Sequence, residues 1–107
     1  MSAAANDDPV LQLVRSRLRE IYGDRLERAV LYGSRARGDA RPDSDYDIAV
    51  FLHDMPDRWA EMNRLADLGT DILYDEGTVI HAMAYQAGTW RRRTPLMHEI
   101  RREGRDL

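Results

Sequence analysis

The sequence predicts a small α/β (α+β) domain in which a mixed sheet is flanked by helices, mostly on one face. Three observations carry this. Segments with helical spacing and segments with strand character run in the order helix, strand, strand, helix, strand, helix, a pattern that packs helices on a sheet. One strand segment, Ile48 to Leu52, is apolar without interruption, as expected where both faces are covered. The length of 107 residues is that of one domain with a real core.

Residues 1–8 are small and polar and read as a flexible tail ahead of a single domain over residues 9–107. Asp8-Pro9 is a helix start, with Asp8 as N-cap and Pro9 in the first helical position. Val10, Val14, Leu18 and Ile21 follow at helical spacing, and Gly23 ends the helix. Arg28 to Tyr32 is a short apolar strand. Gly33 to Ser44 is mainly loop, with room for one helical turn. Tyr46 to Leu52 is the second strand. Asp57 caps a helix running from Arg58 to about Glu76, with Trp59, Met62, Leu65, Leu68 and Ile72 on one face. Gly69 weakens that helix, and the rival reading makes Thr70 to Tyr74 a strand hairpinned onto the next. Thr78 to Tyr85 is a strand by its β-branched and aromatic content. A short helical turn near Trp90 follows, and Thr94-Pro95 then caps a last helix that stops at Gly104.

Composition narrows the function classes. There is no cysteine, which excludes disulfides and thiolate metal sites. No apolar run approaches the roughly 20 residues of a membrane span. The opening residues lack the charged and apolar regions of a signal peptide, so a cytoplasmic location is the default expectation. The net charge of −3 argues against a chain that coats nucleic acid. All sixteen basic residues are arginine, and six of them lie between Arg91 and Arg105. The plain reading of the arginine content is genomic codon bias, and that of the Arg91-Arg92-Arg93 run is a solvated face. The sharper one is a surface for phosphates or an acidic partner.

The chemistry is concentrated in Leu31 to Val50. Gly33-Ser34 follows directly on a strand, and after a ten-residue spacer come Asp45 and Asp47 at the head of the next strand. Side chains two apart on a strand share a face, so the two carboxylates aim at one point. They repel there unless a cation sits between them. Mg²⁺ suits such a pair, because it accepts one or two carboxylates together with phosphates and water. Glycine at 33 lets a phosphate approach the backbone, and the Ser34 amide and hydroxyl can donate to it. Arg35 and Arg37, just beyond, are read equally as phosphate contacts and as a solvated loop. A calcium loop through Asp43, Asp45 and Asp47 fails, because Ile48 stands where the required glycine belongs. Trp59 and Trp90 read as packing residues.

This combination resembles the minimal nucleotidyltransferase (MNT) domains of the DNA polymerase beta superfamily, whose signature is Gly-Ser, a spacer and Asp-x-Asp between two strands. The spacing is similar to that of small members encoded beside HEPN-type toxins. The resemblance implies a small mixed sheet flanked by helices. It implies that Asp45 and Asp47 bind catalytic Mg²⁺ and that Gly33 and Ser34 hold the triphosphate of ATP. It implies transfer of a nucleoside monophosphate, often AMP, to a hydroxyl, with a HEPN-type toxin as partner and the chain as antitoxin. A homo-oligomer is also compatible. Relatives present a third carboxylate from a later strand. Thr78 to Tyr85 contains no acid, and His81 stands where one is sought. A histidine at mid-strand has a plain structural reading as well. Asp71 is the other candidate, provided Thr70 to Tyr74 is a strand. The missing acid leaves a second reading open, a binding module of the same fold that neutralises its partner by contact. A third, a small-molecule nucleotidyltransferase such as one modifying an aminoglycoside, lacks the second domain those relatives carry.

Overall fold

The structure, a computed structural model, describes residues 8–107; the proposed tail, apart from Asp8, lies outside them. Helix α1, Pro9–Tyr22, starts as the sequence demands: Asp8 Oδ1 accepts from the Val10 amide at 2.8 Å, and proline fills the first position. The other oxygen of Asp8 accepts from the Tyr46 hydroxyl at 2.6 Å, so one carboxylate both caps the helix and ties it to the sheet.

Strand β1, Leu26–Tyr32, is followed by the single-turn helix α2, Ser34–Arg37, then β2, Tyr46–Leu52. Helix α3, Arg58–Glu76, leads to β3, Ile80–Gln86. Helix α4, Pro95–Glu103, and the two-residue strand β4, Arg105–Asp106, close the chain. The sheet order is β3-β2-β1-β4. Strand β1 pairs antiparallel with β2 and β4, while β2 and β3 are parallel. The parallel pair needs a crossover, and α3 is that crossover.

Two apolar layers cover the sheet. On one face Val14 and Leu18 of α1 and Leu65, Leu68 and Ile72 of α3 pack against Leu31, Ile48, Val50 and Leu52. On the other, Met97 and Ile100 of α4 pack against Val30, Ala49 and Phe51. Strand β2 is buried from both sides, which is why Ile48 to Leu52 has no polar interruption.

The rival strand over Thr70 to Tyr74 does not form, because α3 continues without a break to Glu76. Gly69 is accommodated within that helix, and a Cβ there would meet the Ile80 carbonyl oxygen only at an ordinary contact distance of 3.5 Å. Trp59 does not share the buried face; it is 74% exposed in the first turn of α3. Trp90 does pack, with its ring against the α4 layer and its Nε1–H donating to Glu27 at 3.0 Å. Glu27 sits at an irregularity in the β1–β2 register and also accepts from the Gly88 amide. No helix among the described residues is long and apolar enough to cross a membrane.

Candidate functional site

Strand β1 ends at Tyr32, and the chain turns on Gly33 with φ of +75°. The Gly33 carbonyl then accepts from the amides of Ala36 and Arg37, both at 3.1 Å, to start α2. The turn lies against β2, because Tyr32 and Asp47 are register partners. A Cβ at position 33 would lie 2.5 Å from Asp47 Oδ2. A side chain at 33 would push the Asp47 carboxylate out of this position, so glycine serves both the backbone angle and the placement of the carboxylate beside it. The two halves of the sequence motif thus meet at the Gly33–Asp47 contact.

Asp47 alternates with Ala49 and Phe51, so it projects on the face that α4 covers further along. Burial raises its carboxyl above the ordinary value; His81 opposes the rise, Asp45 adds to it, and Arg37 opposes it least. That coupling marks Asp45, exposed just before β2, as electrostatically close to Asp47. An acid whose charge is disfavoured by burial and by a second acid two residues away, beside a turn on glycine, fits a divalent cation with oxygen ligands. Among the described residues no three acidic or histidine side chains converge on a metal-sized point. Any Mg²⁺ held here would have Asp45 and Asp47 as its protein ligands.

The two candidates for a third group separate cleanly. His81 is the register partner of Asp47 on β3, with Nδ1 4.0 Å from Asp47 Oδ1. Asp71 lies on α3, over the opposite face of the sheet, and pairs with Arg17 of α1 at 3.0 Å. Asp71 is excluded because its stretch is helix rather than strand.

The arginines after the glycine are structural in this conformation. Arg35 stacks over the Tyr46 ring at 4.0 Å, and its guanidinium donates to the carbonyls of Ser44 at 3.0 Å and Pro42 at 3.2 Å. It fastens the spacer loop that delivers Asp45. Arg37 pairs with Asp39, Glu99 and Glu103, joining α2 to α4. Neither is an uncommitted phosphate ligand. Sequence reasoning missed Tyr32, a half-buried neighbour of Asp47 whose hydroxyl is pushed up to about 12 by burial, Tyr85 and Asp47. Its position immediately before Gly33 was the available signal.

Comparison with known proteins converges on one family. The sequence model described as polymerase beta, nucleotidyltransferase matches residues 18–107. A Methanocaldococcus jannaschii protein provisionally named as a protein adenylyltransferase, MJ0141, is 44% identical over 36 residues. That stretch is 34% of this chain and 36% of the relative, so the chain aligns with about a third of that relative's length. Among solved structures, a toxin-antitoxin crystallised with AMP-PNP superposes with a TM-score of 0.60 at 18% identity, covering 92% of this chain and 72% of that one. A double aspartate-to-glutamate mutant of the toxin-antitoxin MntA-HpeT gives 0.61 at 16% identity over the same shares. At these identities the likeness is one of fold.

Proposed function

The chain belongs to the polymerase beta nucleotidyltransferase family, as a minimal nucleotidyltransferase domain, and from that premise we propose that it transfers AMP from ATP to a hydroxyl of a partner protein. The partner we propose is a HEPN-type toxin, with this chain as its antitoxin in the cytoplasm. The observation that carries the reading is the contact between Gly33 and Asp47, with Asp45 two residues upstream. It supports a triphosphate on the Gly33-Ser34 turn and its α-phosphate beside two carboxylates.

Asp45 and Asp47 would hold Mg²⁺, which when bound neutralises phosphate charge and helps acidify the attacking hydroxyl. The Gly33 turn sets the distance from backbone to phosphate, and Ser34 can donate from its amide and hydroxyl. Arg35 keeps the loop before Asp45 in place. The new bond joins the acceptor oxygen to the α-phosphorus, the bond to the bridging oxygen breaks, and pyrophosphate leaves. His81 stands beside Asp47, with Nδ1 4.0 Å from Asp47 Oδ1, and is a candidate to accept the hydroxyl proton. Placing the acceptor in line is the partner's task, and such orientation can lower a barrier by roughly 7–11 kcal/mol in favourable cases.

One observation favours a second reading. No third acid stands with Asp45 and Asp47 among the described residues, so the fold can also serve as an antitoxin that binds without modifying. Mass spectrometry of the toxin after incubation with ATP and Mg²⁺ separates the two. The expected result is an added AMP that disappears in Asp45→Ala/Asp47→Ala. An unmodified toxin in a stable complex leaves only the binding function.

A further inference from the structure

We infer that two copies of this chain pair edge to edge through β3, and that each lends arginines to the nucleotide site of the other. The second half of this inference rests on the nucleotide-binding reading above; the first half does not.

Strand β3 is the open edge of the sheet. The Val79 carbonyl accepts from Tyr46, and the Ala87 amide donates to Leu52, both on β2. Alternate residues of a parallel strand turn their backbone groups to the same side. His81, Met83 and Tyr85 therefore face β2, while Ile80, Ala82, Ala84 and Gln86 offer N–H and C=O to the outside. Open edges are ordinarily guarded by charge or proline, and Ile80–Gln86 contains neither. Beside the edge runs an apolar groove between α3 and β3, lined by Met62, Gly69, Leu73 and Val79. Leu73 and Val79 are 46% and 45% exposed.

Charge decides what covers this edge. Residues 77–98 contain no acid and include Arg91, Arg92 and Arg93, all exposed beyond the C-terminal end of β3. At the N-terminal end lie Asp45 and Asp47, with Asp75 and Glu76 at the end of α3. The edge thus has an acidic end and a basic end. An antiparallel copy sets acid against base twice, as a two-fold axis requires. The axis of such a pair is perpendicular to the sheet, so α4 lies on the same side in both copies. Trp90, next to the arginines, packs on that side, and Asp47 projects on it. The arginine turn of one copy therefore arrives at the acidic site of the other on the same face.

The chain's own site gives this a chemical reason. Arg35 is spent on the spacer loop and Arg37 on Glu99 and Glu103. Either arginine next to the turn would have to give up these contacts to reach a triphosphate on Gly33-Ser34. Arg91 stacks on Trp90 at 4.8 Å, and among the described residues no ion pair holds Arg92 or Arg93. Arginine supplied from a second chain is an established means of stabilising phosphoryl charge.

Sedimentation velocity of the full chain over a dilution series should show a monomer–dimer equilibrium that weakens with salt. Ala82→Pro removes an outward N–H while leaving the β2 ladder intact, and proline is tolerated at such edge positions; it should be monomeric with near-parental thermal unfolding. Arg92→Glu/Arg93→Glu, on the surface, tests the same pairing without altering the backbone. A chain that is monomeric throughout, or a dimer that both variants leave intact, overturns the β3 pairing. Titration with a fluorescent ATP analogue and Mg²⁺ should show affinity lower by about tenfold or more in Arg92→Glu/Arg93→Glu. Mixing that variant with Asp45→Asn/Asp47→Asn should restore binding at one site of each mixed dimer, because the second chain supplies arginines to the intact acids of the first. Undiminished binding in the arginine variant, or no recovery on mixing, overturns the shared site. Should the parent chain take up no nucleotide, the nucleotidyltransferase reading and the arginine role both fail, while sedimentation still decides the pairing.

Discussion

At the scale of single residues, the site depends on an absence. A methyl group at position 33 would occupy the space of the Asp47 carboxylate, and the backbone there, with φ +75° and ψ −158°, lies in a region nearly restricted to glycine that costs another residue about 1–3 kcal/mol. Gly33→Ala is therefore expected to lower stability by about that amount and to abolish nucleotide binding while leaving the fold intact; thermal unfolding and ATP titration read the two effects separately. Asp47 is expected to behave in the opposite way. Burial and Asp45 raise its carboxyl in the folded chain above the unfolded value, so its ionisation opposes folding once pH exceeds the unfolded value. Asp47→Asn should raise Tm at neutral pH, and the gain should shrink as pH falls through the carboxylate range, where the parent residue is protonated as well. A variant that is less stable than the parent at pH 7 would refute this. The glycine and the two aspartates were legible in the sequence because their geometry is local, set by one turn and one strand. Arg35 and Arg37 were not. What holds Arg37 comes from α4, 62 and 66 residues further on, and no spacing rule reaches across that separation.

At the scale of elements, caps and unbroken apolar runs were readable because they are short-range. Asp8-Pro9, Thr94-Pro95 and the β2 run all lie where their chemistry predicts. Strand β4 was not readable, since two residues carry no periodicity and pair only because α4 returns the chain to β1. Glu61 was overlooked for a similar reason. It occupies the first turn of α3, where an acid reads as an ordinary helix-start residue, yet it is 2% exposed. Arg25 reaches it from beyond α1 at 2.5 Å and Arg64 from the next turn at 2.9 Å. Burial pushes its carboxyl up, but the two guanidiniums outweigh burial and hold it below the usual value. Its contribution is present above the unfolded carboxylate value and is lost as pH falls through the folded one. Glu61→Gln leaves both arginines without their anion and should cost about 2 kcal/mol at neutral pH. In a domain of this size that is roughly 10 °C of Tm. The difference between parent and variant should close in acid, and a gap that stays constant from neutral to acid pH would assign the loss to packing instead.

At the scale of the whole molecule, the sheet holds two chemistries apart. One end of β2 and β3 carries the paired acids and the glycine turn; the other ends in arginines around Trp90. An acidic pocket alone repels a triphosphate, so nucleotide and cation should bind as a coupled pair. Binding to the folded chain alone raises its stability by RT ln(1 + [L]/Kd), about 2.7 kcal/mol at a hundredfold excess over Kd. ATP with Mg²⁺ should therefore raise Tm by roughly 10 °C, whereas ATP with a chelator should raise it far less, because charge repulsion by Asp45 and Asp47 is then uncompensated. Mg²⁺ alone should give a small rise by relieving the Asp45–Asp47 repulsion. Asp45→Asn/Asp47→Asn tests the coupling itself: without the acids the cation has no protein ligands, and the difference between ATP with and without Mg²⁺ should vanish. Calorimetric scans of parent and double variant under the four conditions measure each of these terms. Equal stabilisation of the parent by ATP with and without Mg²⁺ would mean that the two carboxylates do not share a cation with the nucleotide, and the site would then have to bind its phosphates by Gly33-Ser34 and arginine alone.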